Sequence, residues 1–243
     1  MRLLFAFALC GAVACGVVPA TADLSEDGLW PSSGPRGERV AVESSSPFTL
    51  YQVADAPPES AHVTFTPAVG ASAQNPAPAV ILLHGAGGVS GSREHRYARE
   101  FAAQGVAVAV IDVFAARGGR RFIERLINIT EAMALADAFA TRAWLAARPD
   151  IDGERIAIIG FSYGGMSATY AAYRQVLNAY DAAPFAAHVA FYGPCIARFD
   201  DSTTSGAPLL MLWGEQDEIM DPDACEATAE DLRAGGSTVE IAR

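Results

Sequence analysis

From residue 79 onward the chain alternates short, wholly apolar runs with longer segments whose apolar positions recur every three or four residues. Val80–Leu83, Val106–Val113, Arg155–Phe161, Ala187–Tyr192 and Leu209–Trp213 read as strands buried on both faces, because they are short, apolar and rich in β-branched or aromatic residues. Thr238–Ile241 starts a further strand. Helical periodicity is expected over Arg93–Gln104, which Gly105 closes, and over Thr130–Ala147, with Thr130 as N-cap and Pro149 beyond its end. Two more helices are expected over Gly164–Tyr180 and over Pro222–Ala234, the latter stopped by Gly235-Gly236. Strands alternating with helices imply an α/β domain with a mostly parallel sheet and right-handed crossovers. Ligands of such sheets bind at the carboxyl ends of the strands. Before this region the pattern is weaker. Residues 23–37 are rich in Gly, Pro and Ser, Arg39–Glu43 and His62–Thr66 are short β-like runs, and the three prolines of residues 67–78 mark a surface loop.

One feature of that rhythm carries chemistry. The strand Arg155–Phe161 runs into Gly160-Phe161-Ser162-Tyr163-Gly164-Gly165, and a helical segment follows. A G-x-S-x-G sequence between a buried strand and a helix reads as a nucleophile elbow, a tight turn that lifts the Ser162 hydroxyl off the end of the sheet. A serine hydroxyl needs a base to take its proton, and the developing oxyanion needs donors placed in advance. The Tyr163 backbone N–H, at the start of the helix, is one candidate donor. A second is the N–H of Ala86, in the loop His84-Gly85-Ala86-Gly87-Gly88 after Val80–Leu83. That loop fails the dinucleotide-binding pattern G-x-G-x-x-G, because Ser90 stands where the third glycine belongs. His84 is expected to order the loop. The acid that orients the base should follow a later strand, and Asp217 does so after Leu209–Trp213, with Glu215 and Glu218 as alternatives. In this order of elements the base histidine comes last, yet His62, His84, His95 and His188 all precede Asp217. His188 starts a strand and is expected at the end of the sheet opposite Ser162, and His95 at the surface start of a helix. The expectation is a chain truncated before its base, with the last strand incomplete; the alternative is a complete protein that lacks one.

Composition narrows the field further. All 17 basic residues are arginine. Without lysine there is no Walker A loop, no Schiff-base lysine and no Ser-Lys dyad. A net charge of −11 argues against a nucleic-acid partner. The only local basic cluster, Arg117, Arg120, Arg121 and Arg125, reads as a solvated loop and helix start, with contact to an anionic substrate as the alternative. Arg2, the apolar stretch from Leu3 to Val18 and Ala20-Thr21-Ala22 before Asp23 have the form of an export signal, residues 1–22, preceding one domain over residues 23–243. The stretch is short for a membrane span. Lipidation at Cys15 is an alternative reading. Cleavage would remove Cys10 and Cys15, leaving Cys195 and Cys225 in an oxidising compartment, where a disulfide between them is expected. No cysteine–histidine spacing suggests a metal site, and no cofactor is expected.

The segments LLHGAGG (82–88), VIDVFAARG (110–118), DAFATRAWLAARPDIDGERIAIIGFSYGG (137–165), FYGPC (191–195) and LLMLWGEQDEIMDPDAC (209–225) together resemble the dienelactone hydrolase family of the α/β-hydrolase superfamily. The resemblance implies an α/β-hydrolase fold, a nucleophile at Ser162, an acid at Asp217 and a histidine after the last strand. The type enzyme of that family uses cysteine where this chain has Ser162, as many relatives do. The implied activity is hydrolysis of a small-molecule carboxylic ester or lactone through an acyl-enzyme. A non-catalytic binding protein of the same fold and a serine peptidase are the rival readings.

Overall fold

The computed structural model describes residues 37–118 and 122–243. The expected export signal, with Cys10 and Cys15, and Arg120 and Arg121 lie outside the described residues. Among the described residues eight strands form one sheet: β1 (Glu38–Ser45), β2 (Pro58–Thr66), β3 (Ala77–Leu83), β4 (Ala107–Asp112), β5 (Ile151–Phe161), β6 (His188–Phe191), β7 (Leu209–Leu212) and β8 (Val239–Ala242). Their spatial order is β1-β2-β4-β3-β5-β6-β7-β8. β2 runs antiparallel to β1 and to β4, and all other pairs are parallel. The helices are α1 (Glu94–Ala103), α2 (Phe122–Asn128), α3 (Glu131–Ala146), α4 (Tyr163–Tyr170), α5 (Arg174–Ala179) and α6 (Pro222–Ala234). This is the α/β-hydrolase fold. β8 is short but fully paired, Val239 to Ala242 lying opposite Leu209 to Leu212.

The apolar runs form strands with two covered faces because alternate residues serve different layers. Val80 and Leu82 of β3 share one apolar layer with Ala98 and Phe101 of α1. Ile81 and Leu83 share the other with Leu135 and Ala138 of α3 and Ala168 of α4.

Two local expectations are corrected. The helix expected over Gly164–Tyr180 is broken into α4 and α5 at Ala171–Tyr173. There the backbone hydrogen bonds leave the helix: Ser205 N–H donates to Ala172 O at 2.9 Å and Arg174 N–H to Thr203 O at 2.8 Å. A strand-like contact with residues 203–205 replaces one helical turn. Thr130 does stand at the N-cap of α3, but its side chain makes no capping bond there; its hydroxyl reaches toward Pro47 O, at 3.4 Å.

His188 opens β6 opposite Ile158 of β5, four residues before Ser162. It is 1% exposed. Its Nδ1 lies 2.9 Å from Ala168 O and donates to it, while Nε2 has no hydrogen-bond partner and the ring meets Phe185 edge-on. A proton on Nε2 would be a buried charge with nothing to solvate it, so burial lowers the pKa from 6.5 to about 4. The folded pKa is depressed, so the contribution to stability is complete above about pH 6.5 and is lost as pH falls toward 4, by about 3 kcal/mol. Urea unfolding midpoints between pH 8 and pH 4 are expected to fall accordingly. His188→Gln, which cannot titrate, should remove this part of the slope; an unchanged slope in that variant would assign it to other groups.

Candidate active site

β5 delivers Ser162 to the carboxyl end of the sheet in a conformation that L-residues rarely adopt, φ 53° and ψ −115°. Two backbone bonds hold the turn: Ser162 N–H donates to Phe191 O at 2.8 Å and Met166 N–H to Ser162 O at 2.9 Å. The turn is possible because strand and helix meet without side chains between them. A Cβ at Gly160 would stand 1.9 Å from Gly164 O, and one at Gly193 would stand 2.4 Å from the carbonyl carbon of Gly165.

Tyr163 is the first residue of α4, where a backbone N–H has no acceptor within the helix. Its side chain is a fixture: the hydroxyl donates to Thr130 O at 2.5 Å, and burial holds its pKa well above 10. The second expected donor, the Ala86 N–H, lies in a turn closed by Gly88 N–H to Gly85 O at 2.9 Å. Among the described residues this N–H has no partner. The turn abuts the nucleophile, since a Cβ at Gly85 would be 3.3 Å from the Ser162 Cβ.

His84 ties this turn to the neighbouring strand. Val113 N–H donates to its Nε2 at 3.1 Å, so Nδ1 carries the proton and donates to Gly85 O at 2.7 Å. Burial lowers the His84 pKa, and both ring nitrogens are engaged. His62 is exposed on β2 and His95 half-buried on α1. His84 and His188 are therefore both held by contacts away from the Ser162 hydroxyl.

Asp217 lies in the loop after β7, on the same end of the sheet as Ser162 and two strands away, about 10 Å at usual strand spacing. It is half-buried, whereas Glu215 and Glu218 are exposed. Its Oδ1 accepts from Ile219 N–H at 2.9 Å and Met220 N–H at 3.4 Å. Asp221, a few residues on, caps α6 by accepting from Asp223 and Ala224 N–H. The expected disulfide is present: Cys195 and Cys225 are bonded, with Cα atoms 5.0 Å apart and a sequence separation of 30. It joins the loop after β6 to the first turns of α6 and so encloses the Asp217 loop. On chain entropy alone, a loop of this size contributes about 3–4 kcal/mol.

The arginine cluster read as solvated is corrected at Arg117. Its side chain is 5% exposed and bonds Asp137, which is fully buried. The Nη atoms reach both Asp137 oxygens at 2.7 and 3.0 Å, with further bonds to Val113 O and Ser45 O, and Nε donates to Ser46 Oγ. All five donors are satisfied, so Arg117 is not available to a substrate. Its partner had left a sequence signal, a lone carboxylate within the apolar run Ala134 to Ala140. Arg125 does approach the candidate site, with Nη1 3.1 Å from Gly87 O. The sequence reading also missed Arg93 and the buried Glu94 beside it. No cluster of residues able to hold a metal occurs among the described residues, and none of the described helices is long and apolar enough to cross a membrane.

Residues 65–243 match the model of the dienelactone hydrolase family. The chain belongs to the dienelactone hydrolase family. A Salmonella typhimurium protein named as a carboxymethylenebutenolidase is 30% identical over 124 residues, 47% of this chain. The chain spans 43% of the length of that curated relative. Among solved structures, one of a Klebsiella pneumoniae protein described as a dienelactone hydrolase superposes with a TM-score of 0.61 at 23% identity, covering 84% of this chain and 85% of that one. Esterase 2 of Thermogutta terrifontis, phosphorylated by paraoxon, gives a TM-score of 0.62 at 15% identity, with 90% and 85% covered. A dienelactone hydrolase-like promiscuous phosphotriesterase from metagenomic libraries gives 0.58 at 19% identity, with 85% and 80% covered. At these identities the structural likeness speaks for the fold.

Proposed function

We propose that this member of the dienelactone hydrolase family is an exported serine hydrolase of small carboxylic esters or lactones. The observation that carries the reading is Ser162 at φ 53° between β5 and α4, with the Gly85–Gly88 turn against it. In this reading Ser162 Oγ attacks the carbonyl carbon, and the Tyr163 and Ala86 N–H groups receive the oxyanion. The base takes the Ser162 proton and returns it to the departing alkoxide. Water then attacks the acyl-enzyme, giving the acid and free Ser162. Asp217 would orient the base, a histidine carried after β8; no histidine follows Asp217 up to Arg243. The carboxymethylenebutenolidase name of the Salmonella relative and the esterase among the structural neighbours support the substrate class. The disulfide supports an oxidising compartment.

A second reading, a binding protein of the same fold, is favoured by one observation: His84 and His188 are both buried and already committed elsewhere. Intact mass after treatment with a fluorophosphonate tests the proposal. One adduct, absent from Ser162→Ala, is expected, together with hydrolysis of p-nitrophenyl butyrate and none of the matching p-nitroanilide. No adduct would favour the binding protein, and equal cleavage of the anilide a peptidase.

A further inference from the structure

Two loops at the carboxyl end of the sheet differ in how firmly they are held. The loop after β6 is fastened to the nucleophile and its helix. Phe191 O accepts from Ser162 N–H at 2.8 Å, a Cβ at Gly193 would stand 2.5 Å from Met166 N, and Ala197 N–H donates to Tyr170 Oη of α4 at 2.9 Å. The loop after β7, which carries Asp217, has no such ties. Among the described residues, the hydrogen bonds of residues 214–219 stay within the segment itself. Asp217 N–H donates to Gly214 O at 3.1 Å, and the Ile219 and Met220 N–H groups donate to Asp217 Oδ1. Of residues 214–220 only Met220 is buried.

α6 continues from that loop and is anchored at its far end, where Gly235 O accepts from both the N–H and the hydroxyl of Thr204, each at 3.0 Å. At its near end the tie across to the loop after β6 is the Cys195–Cys225 bond. Cys225 is fully buried and Cys195 half-buried. Both sulfurs lie against Gly193 O, at 3.5 Å for Cys195 and 3.9 Å for Cys225. The bond thus joins the frame of the nucleophile to the segment that carries the acid. Without it, α6 keeps its far anchor and its buried face, and the near end alone is released.

We infer that Cys195 and Cys225 are positioning residues, and that forming the bond between them turns the site on. The inference rests on Ser162 as the nucleophile and Asp217 as the acid. In the dithiol form the Asp217 segment is a loop with few ties, and a shift of about 1 Å there is enough to misplace the base that Asp217 orients. The bond forms by exchange with a disulfide-bearing oxidant. Half-buried Cys195 meets it first: its thiolate attacks one oxidant sulfur and expels the other as a thiolate. The Cys225 thiolate then attacks Cys195 Sγ and expels the second. Two protein thiols are oxidised, the oxidant is reduced to two thiols, and the protons given up by the cysteines end on those thiols. Hydrolysis is thereby confined to compartments where disulfides form, and a chain still on the reducing side is silent.

The test compares the full chain oxidised, reduced with dithiothreitol and re-oxidised with oxidised glutathione, the dithiol state being confirmed by mass after alkylation. On reduction, kcat for p-nitrophenyl butyrate is expected to fall about tenfold or more, with KM within about twofold, and to recover on re-oxidation. Hydrogen exchange of residues 214–224 should quicken about tenfold, while that of residues 160–166 stays as it was. The double variant Cys195→Ser with Cys225→Ser supplies the open state should the native bond resist the reductant. It should match the reduced protein and be indifferent to dithiothreitol. An undiminished kcat in the open state, unchanged exchange at 214–224, or loss of the whole circular-dichroism signal in either open form would each overturn the inference. Absence of turnover and of a fluorophosphonate adduct in the oxidised protein is a separate readout. It would remove the hydrolase reading, and exchange at 214–224 would still decide whether the bond fixes the loop.

Discussion

Gly160→Ala is expected to abolish the native fold, although it adds a single methyl group. The new Cβ would stand 1.9 Å from Gly164 O, 2.2 Å from its carbonyl carbon and 2.6 Å from Gly165 N. Every one of these atoms is backbone, so no rotamer change can relieve the clash. The start of α4 would have to move away from β5. But α4 is held on its other side, where a Cβ at Gly164 would already lie 2.5 Å from Leu83 O. We expect a loss of more than about 4 kcal/mol, at the far end of what single substitutions do. Gly87→Ala is the matched control. Apart from its chain neighbours, none of the described residues places a heavy atom within 4 Å of its added Cβ, so the change should fall within about 0.5 kcal/mol of wild type. Thermal melts of both variants, followed by circular dichroism, check the pair. A Gly160→Ala protein melting near wild type would mean that the elbow is looser than its geometry implies.

Arg117→Ala should destabilise by about 3–5 kcal/mol, because it strands a buried carboxylate. Asp137 would keep Ser44 Oγ, at 2.7 Å, as its hydrogen-bond donor. Burial already raises the Asp137 pKa against the opposing pull of Arg117. The sign of the pH effect follows. A carboxyl whose folded pKa is raised is best accommodated when protonated, and its contribution is lost as pH rises through that pKa. Without Arg117 the pKa rises further, so the Arg117→Ala variant should lose less stability at pH 5 than at pH 8. The double change Arg117→Met with Asp137→Leu removes both charges and should cost less than either single truncation. Urea unfolding midpoints of wild type, Arg117→Ala, Asp137→Leu and the double variant at the two pH values provide the measurement. If the double variant is the least stable of the set, the pair is more than compensated and the argument fails.

The elbow was legible because its information is local. A buried strand, a serine between small residues and a helix start are consecutive in sequence, and their order alone specifies the turn. The Gly85–Gly88 turn was legible for the same reason. Arg117 was not. Its neighbours in sequence are small or charged residues of a loop, and nothing there shows that Ser45 and Ser46, about 70 positions earlier, and Asp137, 20 positions later, close around it. The break between α4 and α5 was hidden likewise, because the helical period continues through Ala171–Tyr173 while the competing bonds come from residues 203–205.

The chain by itself determined an α/β order of elements, a serine at a strand-to-helix turn, a glycine-rich loop beside it, and a chemistry without lysine. Periodicity and motif spacing are properties of neighbouring residues, so they survive in a sequence read alone. Only the tertiary structure decided which polar groups are already spent. It showed His84 and His188 engaged inside the protein, and Arg117 saturated by Asp137, Ser45, Ser46 and Val113. A hydrogen bond has few places for partners, and who fills them depends on residues that meet only when the sheet has formed.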